Sequence, residues 1–517
     1  MNLIDSLGTG FAVALTPENL LYVLIGCAVG TVIGVLPGLG PTTTIALLLP
    51  LTYTVPPASA VILLAGIYYG SMYGGTITSV LLRMPGQAAS VVTTFDGHQM
   101  ARQGRAGHAL GIAAIGSFVG GILAVVGLAA LAIPMAELAL TFGPAEYAAL
   151  AALGIVLVAY LGTRSFAKSM VMACLGLLLA VVGPDPITGA ARFAFGSPDL
   201  YSGLDLIAVA MGLFGIGELL YTAAHPATVT PITGKVGGTL PSRAEIRASG
   251  WPIARGSVLG FFIGVLPGGG GLMGSLASYA AEKRIAKDPS RCGKGAIEGV
   301  AGPETANNAS STSAFIPLLT LGLPSNVVLA LIYGALLIQG ITPGPSLVRD
   351  YPDVFWGVIA SMVVGNAVLL LLNLPLVGLF VRILRVRSGV LASVAIVITL
   401  IGVYSVNNRV FDMWVVLGFG VVGYGLRRLG FEPGPLVLAF VLGALLERSF
   451  RQAMLISDGS LAVFLTRPLA LAIVAAMALL LIANVWTALR PRRTVPPMTQ
   501  QDTGGDAGTN SSADGRS

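Results

Sequence analysis

Residues 19–82 contain no Asp, Glu, Lys or Arg. A helix needs about 20 apolar residues to cross the ~30 Å hydrocarbon core of a bilayer. A charge-free stretch of this length must therefore cross more than once or fold back inside the membrane. The rest of the chain has the same character. Of 517 residues, 55% are hydrophobic and only 10% are charged, with a mean hydropathy of +0.85; soluble proteins carry about 25% charged residues. A soluble multidomain enzyme is excluded, and the expected fold class is an all-α polytopic membrane protein. The 68 Gly and 31 Pro residues are helix breakers. Inside a bilayer each break must be re-satisfied by neighbouring groups or line a cavity, which points to transport rather than passive anchoring.

Charge and special residues narrow the class. The net charge of +6 reads as basic cytoplasmic loops and gives no reason to expect a nucleic-acid partner. Cys27, Cys174 and Cys292 are odd in number and widely spaced, which supports neither a disulfide framework nor a zinc site. His98, His108 and His225 form no HExxH-like pair. The N-terminal residues lack a basic n-region, so a cleaved signal peptide is not expected. No single span carries a Ser–His–Asp set or paired carboxylates, which speaks against an intramembrane hydrolase.

Apolar stretches and basic clusters together suggest about 11 crossings, with the N-terminus outside and the C-terminus inside. The basic clusters include Arg102/Arg105, Arg164/Lys168, Arg382/Arg385/Arg387 and Arg490/Arg492/Arg493. Asp185, Asp199, Asp205 and Asp353 fall outside in this scheme. The 447–467 loop is the exception, since it would be external yet carries Arg448, Arg451 and Arg467. The chain divides into an N-terminal segment 1–17, a first membrane repeat 18–222, a basic cytoplasmic linker 223–255, a second membrane repeat 256–489 and a disordered cytoplasmic tail 490–517.

Segment 256–281 has basic residues on both flanks and VLPGGGGLMG in its middle, so it is expected to enter the membrane and return as a re-entrant hairpin. The sequence IGVLPGLG at 33–40 recurs as IGVLPGGG at 263–270, with seven of eight positions identical. A hydroxyl-rich irregular segment follows each copy, at 69–90 and at 302–326. An odd number of crossings between the copies inverts the second. The expectation is two inverted repeats, each a hairpin plus a discontinuous helix, as in secondary transporters whose site lies near the midplane.

A dry cation site uses oxygen ligands, and an anion uses N–H groups at half-helix N-termini. Substrate contact is expected at Gly38, Gly40, Thr42, Gly268, Gly270, Asn307, Asn308, Ser310 and Thr312. Ion contact is expected at Gly74, Gly75, Thr76, Thr78, Ser79, Ser311 and Ser313. Small and hydroxyl residues also serve close helix packing. Two adjacent amides, Asn307 and Asn308, argue more strongly for a cavity-lining place. Glu304 begins the second discontinuous helix and Arg83 follows the first, either as interfacial anchors or as functional charges. Glu218 reads as interfacial, and Asp96 and His98 as polar residues of a cytoplasmic turn. No metal is expected beyond a possible Na⁺, and no cofactor. The lack of evident buried carboxylates favours Na⁺ over H⁺ as the coupling ion.

Segments 69–111 and 295–347, together with both VLPG motifs, resemble the large membrane subunit of the tripartite tricarboxylate transporters, the TctA family. The resemblance covers roughly residues 15–450. It implies a permease of the bacterial cell inner membrane, driven by an ion gradient and not by ATP. The implied partners are a small membrane subunit (TctB-like) and a periplasmic solute-binding protein (TctC-like) that delivers an organic carboxylate. Carried over by position, the site falls at the two VLPG tips, at 74–79 and at 307–313. Leu323-Pro324-Ser325-Asn326 departs from the family's Ile/Leu-Pro-Gly run, which bears on local geometry and substrate choice. The other readings are an exporter or facilitator working without a binding protein and, from another class, an intramembrane enzyme or assembly factor.

Overall fold

A computed structural model describes residues 3–36, 40–161, 165–225, 238–383 and 388–489. Gly38, the tail 490–517 and part of the 223–255 linker lie outside the described residues. The described residues are helical almost throughout; among them only Gly183–Pro184 and Ala191–Arg192 pair, as a short antiparallel ribbon.

The first hairpin is α1 (Pro17–Val35) and α2 (Pro41–Leu48). Then follow α3 (Pro57–Leu82), α4 (Thr93–Arg102), α5 (Ala106–Leu140), α6 (Pro144–Leu161), α7 (Phe166–Ala180) and α8 (Leu206–Ala224), the last with a π turn at Met211–Ile216. The second hairpin is α9 (Arg243–Val265) and α10 (Gly270–Ile285). It leads to α11 (Glu298–Ser313), α12 (Phe315–Leu321) and α13 (Val327–Ile338). The chain ends with α14 (Pro352–Asn373), α15 (Ser388–Asn407), α16 (Val410–Arg428), α17 (Gly434–Ile456) and α18 (Pro468–Leu489). Six of the described helices, α1, α3, α5, α8, α14 and α16, are long and apolar enough to cross a bilayer. The caps follow local chemistry. Pro opens α1, α2 and α3 where the first N–H groups lack partners anyway, and Ser242 and Glu245 close a capping box on α9.

Glycine rows decide how the hairpins pack. Gly26, Gly30 and Gly34 on α1 face Gly66, Gly70 and Gly74 on α3, and a methyl on any of these six would run into the facing backbone. The second hairpin repeats the device. Gly256, Gly260 and Gly264 on α9 abut the carbonyls of Gly302, Ala306 and Ser310 on α11. Four-residue spacing puts each row on one helix face. Both partners are central. Residues 64–81 of α3 are buried, as are 299–313 of α11. α3 runs unbroken through 74–79, where a discontinuity was expected. Its break comes at Arg83, in the left-handed region at φ 57°.

Two arginines of the 447–467 loop, Arg451 and Arg467, have counter-charges. Arg451 reaches Asp185 at 2.5 Å, and Glu447 reaches Arg192 at 2.5 Å. Arg467 reaches Glu146 at 3.0 Å. Arg451 thus lies beside Asp185, Arg192 and Glu447. At the opposite seam, Glu245 pairs with Arg105 at 2.7 Å and His108 at 3.0 Å. Burial works to raise the Glu245 carboxyl, but Arg105, Ser242 and His108 outweigh it and push it down to about 2.

Gly260→Val should lower stability by roughly 1–3 kcal/mol through overpacking, read as a lower thermal unfolding midpoint in detergent. Gly418→Ala, where a methyl meets nothing within 4 Å, should leave the midpoint unchanged. Equal midpoints for the two variants would refute the glycine contact.

Candidate translocation site

Both hairpin turns open onto one cavity of about 530 Å³. Gly40, Thr42 and Thr43 line it from the first turn, and Gly268, Gly269, Gly270 and Gly271 from the second. A methyl at Gly40 or Gly270 would meet nothing within 4 Å, so packing does not account for these two glycines. Gly268 needs its left-handed φ of 75°, as Gly270 does at 44°. The Gly268 N–H donates to the Ser325 carbonyl at 2.7 Å. Asn326 caps α13 by accepting the Leu329 N–H at 3.0 Å and donates to the Tyr68 hydroxyl at 3.2 Å. The divergent 323–326 segment is therefore the prop under the second turn, and Ser325 and Asn326 both line the cavity.

The opposite wall comes from α6, α8, α16 and α17, through Val158, Phe214, Glu218, Arg427 and Leu438. Thr43 ties the two walls together by donating to the Phe214 carbonyl at 2.9 Å, in the π turn. Arg427 forms an ion pair with Glu218. No other Lys or Arg among the described residues lines the cavity, and the Arg427 Nε is buried without a partner. Glu218 is not the interfacial residue expected; it is 6% exposed. Its sequence signal was a carboxylate inside an apolar span, but its partner lies some 200 positions away, beyond the reach of any local pattern.

Behind the second turn, Gly271 sits directly over Asn307 Oδ1. Asn307 Oδ1 is buried with no hydrogen-bond partner, as is Gln87 Nε2 at the cavity wall. One turn earlier on α11, Glu304 is 1% exposed. Thr76 donates to Glu304 Oε2 at 2.8 Å, and Thr93 donates to Oε1. The premise that the spans hold no buried carboxylate therefore fails at Glu304.

The remaining expected residues lie away from the cavity. Gly74 is in helix contact with α1, and Gly75 packs against the Gln87 side chain. The hydroxyls of Thr78, Ser79, Ser310, Ser311 and Ser313 donate to carbonyls of their own helices. Thr312 is buried on α11. Asn308 donates to Ser117 Oγ on α5 at 2.7 Å and to the Glu304 carbonyl at 3.2 Å, which makes it a tie between helices. Asp96 also departs from its expected place in a polar turn. It is fully buried, and its carboxylate accepts the N–H groups of Gly293, Gly295 and Ala296 at 2.8–3.0 Å and the Tyr279 hydroxyl at 2.9 Å. It clamps the loop that starts α11. His98 bonds the Val80 carbonyl through Nδ1 at 3.0 Å.

Two hairpin turns on one cavity, backed by buried polar helices, is the arrangement of a permease. Residues 20–438 match the tripartite tricarboxylate transporter TctA family. The chain belongs to that family. It is 46% identical over 493 residues to an Agrobacterium vitis protein called the uncharacterized 52.8 kDa protein in the TAR-I ttuC' 3'region, covering 95% of this chain and 98% of that one. A second Agrobacterium vitis protein, uncharacterized and in the TAR-II ttuC' 3'region, is 49% identical over 234 residues, covering 45% of this chain and 97% of its own. No solved structure matches. As a TctA-family chain, this is a multi-pass membrane protein of a transporter family, not of an enzyme family.

Two outcomes test this geometry. Gly40→Leu should fold like the wild type, with an unchanged unfolding midpoint, and yet lower uptake by filling the cavity; unchanged uptake would remove the cavity from the path. Asp96→Ala leaves two buried N–H groups, of Gly295 and Ala296, without an acceptor, at about 1–3 kcal/mol each. In a Cys174→Ser background it should speed alkylation of half-buried Cys292, and an unchanged rate would mean that other contacts hold the loop.

Proposed function

We propose that the chain is the large permease subunit of a binding-protein-dependent secondary transporter that takes up tricarboxylates or related organic carboxylates. In this reading a periplasmic TctC-like protein delivers the substrate, a small TctB-like subunit accompanies the permease, and an inward Na⁺ or H⁺ gradient across the bacterial inner membrane drives uptake. The observation that carries the proposal is the single cavity in which two glycine turns face Arg427. A helix N-terminus such as that of α10 at Gly270 and a guanidinium are complementary to carboxylates. Glu218 holds Arg427 until an anionic substrate competes for it.

Alternating access would move the unit built on the two hairpins against the wall of α6, α8, α16 and α17. The matched glycine rows support two repeats, and five apolar helices between the hairpins (α3, α5, α6, α7 and α8) support their inversion. The elevator form of this motion rests on analogy with other two-hairpin folds.

The test is radiolabelled carboxylate uptake in membrane vesicles, with and without the periplasmic partner and with Na⁺ or pH gradients. Uptake that ignores both partner and gradients would refute the reading. Arg427→Gln should raise half-saturating substrate about 10-fold or more, the value of a charge-assisted hydrogen bond, with membrane insertion intact. An unchanged half-saturation would remove Arg427 from the site.

A further inference from the structure

Glu304 is the buried charge that the cavity leaves unused. Its two oxygens meet one hydroxyl each, Thr76 from α3 and Thr93 from α4. Among the described residues no Lys, Arg or His forms an ion pair with it. The charged groups on the helices packed around α11 are committed elsewhere. Asp96 on α4 holds the 293–296 backbone and Tyr279 of α10, and His98 holds the Val80 carbonyl. Arg255 of α9 pairs with Glu282 of α10 at 2.6 Å, and His108 of α5 with Glu245 of α9. Glu298, on α11 itself, pairs with Arg291 at 3.7 Å. Arg102, Glu137, Arg243, Arg247, Lys283 and Arg284 are exposed. Tyr73 of α3 is the titratable side chain within electrostatic reach, and its hydroxyl is buried without a partner.

A second, independent observation lies one helical turn away. Asn307 is fully buried, and its Oδ1 has no partner. Three residues apart on a helix, Glu304 and Asn307 share a face. Burying an ionised carboxylate without a counter-charge is costly, and an orphaned buried amide oxygen adds to that cost. A proton on the carboxyl removes the first penalty. A small cation between the carboxylate and Asn307 Oδ1 removes both, with the Thr76 and Thr93 oxygens available as further ligands.

We propose that Glu304 binds the coupling cation, either a proton on its carboxyl or a Na⁺ shared with Asn307 Oδ1. This deepens the transport reading above and rests on it. Gly271 joins the two sites: it lines the substrate cavity on one side and covers Asn307 on the other. Cation occupancy behind Gly271 therefore bears on how the second turn seats.

The test uses the purified full chain and no organic substrate, so it can fail independently of the transport reading. The unfolding midpoint is followed against Na⁺ concentration at fixed pH, and against pH without Na⁺. If Na⁺ is the cation, the wild-type midpoint rises with Na⁺, and both Glu304→Gln and Asn307→Leu abolish the rise. If a proton is the cation, the pH response disappears in Glu304→Gln and persists in Asn307→Leu. A Glu304→Gln protein that responds to both cations like the wild type overturns the proposal, as does a wild type that responds to neither. Should Glu304→Gln fail to fold, Thr93→Val decides. Losing a donor to the charged form should move half-protonation to higher pH, or half-saturation to about 10-fold more Na⁺, and no movement in either overturns the proposal. In vesicles, Glu304→Gln should lose at least ~10-fold of gradient-driven accumulation while substrate exchange continues. Wild-type vesicles without any exchange would instead count against the transport reading.

Discussion

Backbone-to-backbone contact between paired helices is the constraint on which the rest of this structure depends. Lipid offers no hydrophobic drive for one helix to bind another, so close approach and polar ties must hold the bundle. Here α1 meets α3, and α9 meets α11, along rows of small residues where even a methyl would strike a carbonyl. That proximity places each hairpin turn beside a fully buried helix. It also brings the carboxylate of Glu304 on α11 within reach of Thr76 on α3.

Polar chemistry is layered outward from that core. Asp96 gathers backbone N–H groups at the start of α11, and Asn308 ties α11 to Ser117 of α5. These contacts consume polar groups that would otherwise be stranded in an apolar interior. Among the buried groups without a partner, Gln87 Nε2 and Arg427 Nε line the cavity, and Asn307 Oδ1 lies behind Gly271 at its edge. Unpaired donors and acceptors at a cavity are where a ligand gains most, because the protein has already desolvated them.

Some of this was legible in the residues. The duplicated VLPG motif pointed to the two helix pairs, and Gly40, Thr42, Gly268 and Gly270 do line one cavity. Turn chemistry is local, and a Pro-Gly run marks it wherever it occurs. The hydroxyl-rich stretches were harder to read. Thr78, Ser79, Ser310, Ser311 and Ser313 look like ligands in sequence, yet each bonds a nearby carbonyl. A buried hydroxyl has that option in any helix, so composition cannot distinguish it from a ligand. The place of Glu218 was illegible for the opposite reason, since its pairing with Arg427 spans the fold.

By itself the sequence determined a polytopic helical membrane protein with two matched breaks. Hydropathy, charge placement and helix-breaking residues act over a few turns of chain, and a bilayer punishes every exception. Only the tertiary structure decided that the two turns share a cavity, that Arg427 faces them, and that Glu304 is buried behind them between Thr76 and Thr93. These are contacts between helices far apart in the chain. They depend on which face of each helix packs inward, and here the small-residue rows set that choice.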